Sequence, residues 1–507
     1  MLNKLERTLK ILLILNLFMV AFVIVAFYLL ATNSIIFFDE AITFKNAHSL
    51  SFPIHKEELE KLDYFQHLEK ADFRKSIDYK EIANWAKKHP NIDVLYTVPL
   101  PDNITFTDGV LNLKQLTKSE TFIAKEEYID YLENIEIIQI NVDHWSPSDI
   151  MLFQEKNDAY TVDYDLSFTN TKVEPTAQSI DVSQFTDEDF LYLEECLPLL
   201  TNLKQINFGK ENGHMRLDFV SSFHKTHPSL ELSYSFSAFG KEIDFFQESL
   251  DFSNTSMQDD HEVRELLNAM PNVNYLDMDS CSLDDEMMAN LRDSYPHIEV
   301  IWRIWFGTSY SVRTDATKIL ASAPYLGGEL TVENTQSLKY CTKVKYLDIG
   351  HNQYLHDVSF VSYMPDLEVL IIMWGNIQDI TPLKNCPHLE FLEIFTNDIT
   401  DLSPLANLKE LKHLNLCWNP RLSNLQPIYS LTQLERLWIG IHTSIPAYQI
   451  DEFQALAPNC IINRTCSDPH TNWRWGNPRY ELLKEQLGYT DLDYQLYYND
   501  PLYKEPE

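Results

Sequence analysis

The residues of this chain whose types and spacing suggest work are apolar and aromatic, and that work is contact. Val369, Ile371, Met373, Trp374, Phe391, Phe395, Trp418, Arg436 and Trp438 fall at matching offsets in rows of 22 or 23 residues. Nothing comparable points to bond making. The chain carries no GxxxxGK[ST], HExxH, GxSxG or Gly-rich dinucleotide motif. The acidic knot Asp277, Asp279, Asp284, Asp285 and Glu286 offers the oxygens that a hard cation takes. It lacks the spacing of an EF-hand loop, and such knots are ordinarily solvated faces. Seven cysteines in 507 residues form no CxxC pair, and small structural cysteines are the expectation. Asn103, Asn254 and Asn463 begin N-x-S/T triplets, which matter only where secreted asparagines are glycosylated. The chain is therefore expected to be no enzyme and to hold neither metal nor cofactor. With 40 Lys+Arg against 75 Asp+Glu, its net charge of −35 would repel nucleic acid.

The elements that must position the apolar residues show in five rows: VKYLDIGHNQYLHDVSFVSYMPD, LEVLIIMWGNIQDITPLKNCPH, LEFLEIFTNDITDLSPLANLKE, LKHLNLCWNPRLSNLQPIYSLTQ and LERLWIGIHTSI. Their starts, Val344, Leu367, Leu389, Leu411 and Leu434, lie 23, 22, 22 and 23 residues apart. Within a row apolar residues recur as at Leu389, Leu392 and Ile394. An Asn follows (Asn352, Asn397, Asn419), then an Ile and an Asp-Leu-x-Pro-Leu turn, as at Ile399, Asp401, Leu402, Pro404 and Leu405. This is the spacing of the leucine-rich repeat, and over these rows the chain resembles the short bacterial repeats of the internalin kind. One row cannot bury its apolar edge alone, so stacked rows share a core. Leu392 and Leu414 belong to that core.

Side chains alternate along a strand, so the residues between the leucines form outward ladders. One reads Tyr346, Val369, Phe391, His413, Arg436. The next reads Asp348, Ile371, Glu393, Asn415, Trp438, and the third Gly350, Met373, Phe395, Cys417, Gly440. Trp374 and Trp418 flank them. The apolar members should form one patch on the concave face, and contiguous apolar surface marks an interaction site. The aromatic C-terminal tail or a second copy of the chain is the competing cover. Glu393 and Asn415, as outward neighbours of the core leucines, are expected to tolerate replacement.

Upstream the period lengthens. Strand-like stretches start at Pro90, Asp158, Pro228 and Pro296, and second-strand anchors stand at Leu68, Ile135, Leu203, Val273 and Val344. The anchors recur every 67 to 71 residues and run into the short rows in register. The expected fold is α/β: a leucine-rich repeat solenoid with a curved parallel sheet, helices and turns on its convex side, and one N-terminal transmembrane helix. Degenerate long repeats would span 62–343, short repeats 344–464, and an aromatic cap 465–507 with a helix at Glu481–Leu487. The long repeats resemble large leucine-rich repeat proteins of Gram-positive bacteria. The motifs in question are Pro296, Ile298, Val300 and Trp302, then Arg313–Thr317, then Trp473, Arg474, Pro478, Arg479 and Tyr480. That resemblance implies surface display.

Residues 11–31 carry no charge and are long enough to cross a bilayer core of ~30 Å. Lys4, Arg7 and Lys10 precede them, which places residues 1–10 in the cytoplasm and the rest outside. Residues 32–61 read as a juxtamembrane segment. A cleaved signal peptide has a shorter apolar region and ends in small residues; Tyr28, Leu29 and Leu30 do not fit. The sequence thus points to a cell-membrane protein, anchored through residues 11–31, that binds a protein or cell-envelope ligand on its concave face. A structural envelope scaffold is the alternative, and an enzyme with an unrecognised site the third class.

Overall fold

The computed structural model describes residues 2–31, 34–322, 330–440, 442–465 and 473. The chain divides into two compact units, Met1–Phe208 with Ser229–Leu232, and Gly209–Pro228 with Ser233–Glu507. The first begins with α1 (Leu2–Ala31). Within it Arg7–Leu29 has a mean hydropathy of 2.8 and no buried part. By length and composition this helix can cross a membrane; a secretory signal passes the same test.

The first unit repeats one theme, short parallel strands joined by helices. Ser49–Ser51 pairs with Lys70–Asp72 and that strand with Asp93–Leu95. Val110–Asn112, Ile137–Gln139 and Thr161–Asp163 form the next parallel set, and Ser179–Asp181 pairs with Gln205–Asn207. The central residues Leu50, Ala71, Leu111, Ile138, Ile180 and Ile206 of these strands are buried, and Val94 and Val162 half-buried. The helices between them start where Thr117, Ser146 and Thr186 close capping boxes with Glu120, Asp149 and Asp189. These are the S/T-x-x-D/E starts that satisfy orphan N–H groups.

Residues 32–61 are not a plain connector. Ile35–Phe37 and Ile42–Phe44 form a hairpin, and Ile36, Phe38, Leu50, Ile54 and Leu59 join a core with Phe73 and Trp85. The repeat architecture therefore begins at Ser49, ahead of residue 62. The reason it was hidden is length: S-L-S carries a single apolar residue, too little for a visible alternation.

In the second unit Ser249–Asp251, Tyr275–Asp277 and Glu299–Ile301 form a parallel set, and Arg303–Phe306 turns back on Tyr310–Arg313 as a hairpin. Seven parallel strands follow in chain order: β1 (Lys318–Leu320), β2 (Tyr346–Asp348), β3 (Val369–Ile371), β4 (Phe391–Glu393), β5 (His413–Asn415), β6 (Arg436–Trp438) and β7 (Ile461–Asn463). Leu347, Leu370, Leu392, Leu414 and Leu437 are register partners, each fully buried. Helical connections of ten residues give way here to 3-10 turns such as Thr381–Asn385 and Ser403–Leu405. Proline near the start of the turn presets its φ, and an aspartate caps it. Asp379 and Asp401 accept from the N–H groups of Thr381 and Ser403 at 2.8 Å. The Thr381 contact holds the Asp379 carboxyl below its ordinary range. Before β7 the connection is helical again (Ala447–Leu456).

Candidate binding face of the seven-stranded sheet

The rows are locked by their asparagines. Asn397 Nδ2 donates to the carbonyls of Ile372 (2.8 Å) and Ile394 (3.1 Å), while its Oδ1 accepts from the N–H groups of Gly375 (3.1 Å) and Ile377 (2.9 Å). Asn419 repeats this one row later with Ile394, Leu416 and Ile399, and Asn352 two rows earlier with Ala321, Ile349 and Leu330, Gly375 holding the position in the row between. A side-chain amide that satisfies backbone groups of its own row and its neighbour, every 22 or so residues, ties parallel strands into one stack. This is a leucine-rich repeat array.

No family model matches the sequence, and no curated protein matches it. Solved structures that resemble it include bacterial leucine-rich repeat proteins. Internalin C2 of Listeria monocytogenes is 21% identical, over 45% of this chain and 76% of that one, with a TM-score of 0.23. Internalin F of the same species is 14% identical over 82% and 85%, with a TM-score of 0.24. A leucine-rich repeat protein of Leptospira interrogans is 14% identical over 82% and 92%, with a TM-score of 0.23. The assignment of the repeat rests on the asparagine ladder and the strand register.

Each turn out of a strand passes through the left-handed region, with φ of 60° at His351, 57° at Trp374, 54° at Thr396 and 58° at Trp418. Such backbone costs a bulky residue about 1–2 kcal/mol. Because Thr396 adopts it as the aromatics do, the conformation belongs to the row; an Asn follows at 352, 397 and 419, and Gly375 follows Trp374.

On the sheet face opposite the leucines, Val369, Ile371, Met373, Phe391, Phe395 and Trp438 converge on one cluster with Cys417, and Trp374 packs at its edge. Arg436 is half-buried with its guanidinium 5.7 Å from the Trp438 ring centre, and burial lowers its pKa. Trp418 stands apart from the cluster, 38% exposed and against His442 at 4.3 Å. The cluster is not open surface. Val369, Ile371 and Phe391 are fully buried and Trp438 is 4% exposed. Trp473 is seated among them, its ring 5.2 Å from Phe391 and 5.2 Å from Trp438.

Three participants lie outside the patch expected from the sequence: Trp473, Glu393 and Asn415. Trp473 Nε1 donates to Glu393 Oε2 at 3.1 Å. Glu393 is fully buried, and so is Asn415 beside it. The expectation that both tolerate replacement as outward positions is corrected by this burial: on this face outward does not mean exposed. Asn415 Oδ1 accepts from Cys417 N–H at 3.2 Å. Asn415 Nδ2 and Trp438 Nε1 are buried donors without a hydrogen-bond partner among the described residues. The aromatic crowding after residue 465 was the available signal for Trp473. The helix expected at Glu481–Leu487, and Arg474, Trp475, Pro478, Arg479 and Tyr480, lie outside the described residues.

The acidic knot is a clamp in this structure. Arg303 donates to Asp279 through Nε (2.9 Å) and Nη2 (2.7 Å), and Arg313 Nη1 to Asp277 at 2.7 Å. Arg303 holds the Asp279 carboxyl below its ordinary value. Asp284 caps a helix by accepting from Met287 N–H, and Asp285 accepts from Trp302 Nε1. Among the described residues no group of His, Cys, Asp or Glu is arranged to hold a metal. Six described cysteines are free and buried, and burial pushes the thiols of Cys341, Cys386 and Cys460 up to about 12. A thiol so placed stays protonated at neutral pH and is a poor nucleophile.

Proposed function

We propose that this chain is a membrane-anchored, extracytoplasmic binding protein whose ligand is a protein recognised on the concave face of β2–β6. The observation that carries the reading is the chemistry of Glu393, Asn415 and Trp438, side by side in the middle outward ladder. A sheet face that needed only a cover would be apolar throughout, because a buried polar group costs stability unless it is paired. Here a carboxylate and two donors that lack a partner among the described residues interrupt an aromatic floor. A large apolar area with a few placed polar groups is the composition of a recognition site. Arg436 and Tyr346, half-buried at the margin, would supply the polar rim.

The anchor is α1 in this reading. The net charge of −35 suits a chain kept apart from anionic lipid headgroups beyond its anchor. Photo-cross-linking amino acids at Tyr346 and Arg436, and at Thr381 and Lys384 on a connecting turn, test the face in intact cells. A protein adduct should form from the first pair and not from the second. Adducts from the turn alone would overturn the assignment.

A further inference from the structure

The hairpin after α1 is fastened to the end of that helix. Ser34 N–H donates to the Leu29 carbonyl at 3.0 Å, and Lys45 N–H to the Ser34 carbonyl at 2.9 Å. The register Ile35↔Phe44, Ile36↔Thr43 and Phe37↔Ile42 puts Ile35, Phe37, Ile42 and Phe44 on one face, because directly opposed residues share a side. The other face packs inward, where Ile36 and Phe38 join the core with Leu50 of the first repeat strand. The hairpin thus closes the N-terminal end of the array. A terminal cap keeps an array soluble by turning a polar face outward. Here the outward face is apolar, with Phe37, Ile42 and Phe44 48%, 67% and 53% exposed.

Arg7–Leu29 is 23 residues, about 34 Å of helix, against a hydrocarbon core of ~30 Å. Leu29 therefore stands at the edge of that core, and the hairpin begins within one hydrogen bond of it. We propose that the outward face of the hairpin, Ile35, Phe37, Ile42 and Phe44, lies in the headgroup layer of the bilayer that α1 crosses, and so seats the first repeats on the membrane. The inference rests on the anchor reading of α1 and adds a second membrane contact to it. A two-stranded hairpin leaves edge N–H and C=O groups that need water, which sets it in the headgroup layer and not in the hydrocarbon. Tyr64 is exposed with Lys45 Nζ 5.7 Å from its ring centre, and Lys61 Nζ donates to the Phe37 carbonyl at 2.9 Å. Tyrosine and long cationic side chains favour that layer. The acidic pair Asp39–Glu40 stands at the far turn of the hairpin, away from the helix end.

The test uses the full-length chain in phosphatidylcholine vesicles, with a photo-cross-linking amino acid at one position at a time and mass spectrometry of the adducts. Phe18 in α1 reports the anchor, and Ile42 and Phe44 report the hairpin face. Leu191, as exposed as Ile42 but on the helix Asp187–Cys196, reports other apolar surface. Lipid adducts should form from Phe18, Ile42 and Phe44 and be absent from Leu191. With the photoreactive group at Phe37, the double variant Ile42→Asp/Phe44→Asp should lose the lipid adduct, while with the group at Phe18 the same variant keeps it. Its circular dichroism should match the wild type; unfolding would show the face to be core and overturn the assignment. Adducts from Phe18 without those from Ile42 and Phe44 overturn the hairpin contact and leave the anchor standing. Protein adducts from the hairpin in place of lipid overturn it as well, as do a Phe37 adduct that survives the double variant and lipid adducts of equal yield from Leu191. Silence at Phe18 overturns the anchor reading, and this contact with it.

Discussion

At the scale of single residues the array depends on a few buried polar side chains. Removing Asn397 takes the side-chain partner from the Ile372 carbonyl and from the N–H groups of Gly375 and Ile377, while the Ile394 carbonyl keeps Asn419. Since a buried unsatisfied group costs about 1–3 kcal/mol, Asn397→Ala should lower stability by about 3 kcal/mol or more in urea unfolding. A loss near zero would show that water replaces the amide freely. Glu393→Ala is expected to cost about 2 kcal/mol, because it orphans the Trp473 N–H and opens a gap in a sealed cluster. The asparagines were legible from spacing alone, since a polar residue that recurs amid leucines has one role. Glu393 was not legible, because alternation tells which face a side chain takes and says nothing of what covers it.

At the scale of elements the same contrast holds. Leu392 and Leu414, register partners at zero exposure, should each lose about 2–5 kcal/mol on replacement by Ala. The short rows were readable because each repeats five or more fixed positions within 22 residues. The first strand of each long repeat was not, being three residues with one apolar centre, as at Ser179–Asp181 and Ser249–Asp251. The hairpin that follows the 249–301 set is pinned by the Asp279–Arg303 pair. The carboxyl is depressed from 3.8 in the folded state, so the unfolded chain takes up its proton first as pH falls. The pair's contribution is therefore complete above the ordinary carboxylate range and is lost as pH drops through the lower folded value. Asp279→Asn should melt below the wild type by a margin set by about 2 kcal/mol near neutral pH. That margin should shrink below about pH 4. A margin independent of pH would remove the ion pair from the explanation.

At the scale of the molecule, an N-terminal apolar helix precedes repeat layers that place an aromatic, partly polar face on the five adjacent strands β2–β6. The helix was plain in the sequence from its uncharged run, and the layers from their period; the seating of Trp473 needed three dimensions. An export-dependent reporter fused after Glu507 should be active if α1 is an uncleaved anchor with a cytoplasmic N-terminus, and the protein should stay with membranes after alkaline washing. Activity confined to a cytoplasmic reporter would reverse the topology. The binding face itself is tested most directly by titrating the protein partner recovered by cross-linking against three forms of the full-length chain. Arg436→Gln should weaken binding about tenfold, or ~1.4 kcal/mol, with its melting temperature nearly unchanged, and Lys384→Gln should bind as the wild type does. Unchanged affinity for Arg436→Gln together with a loss for Lys384→Gln would contradict the concave-face assignment.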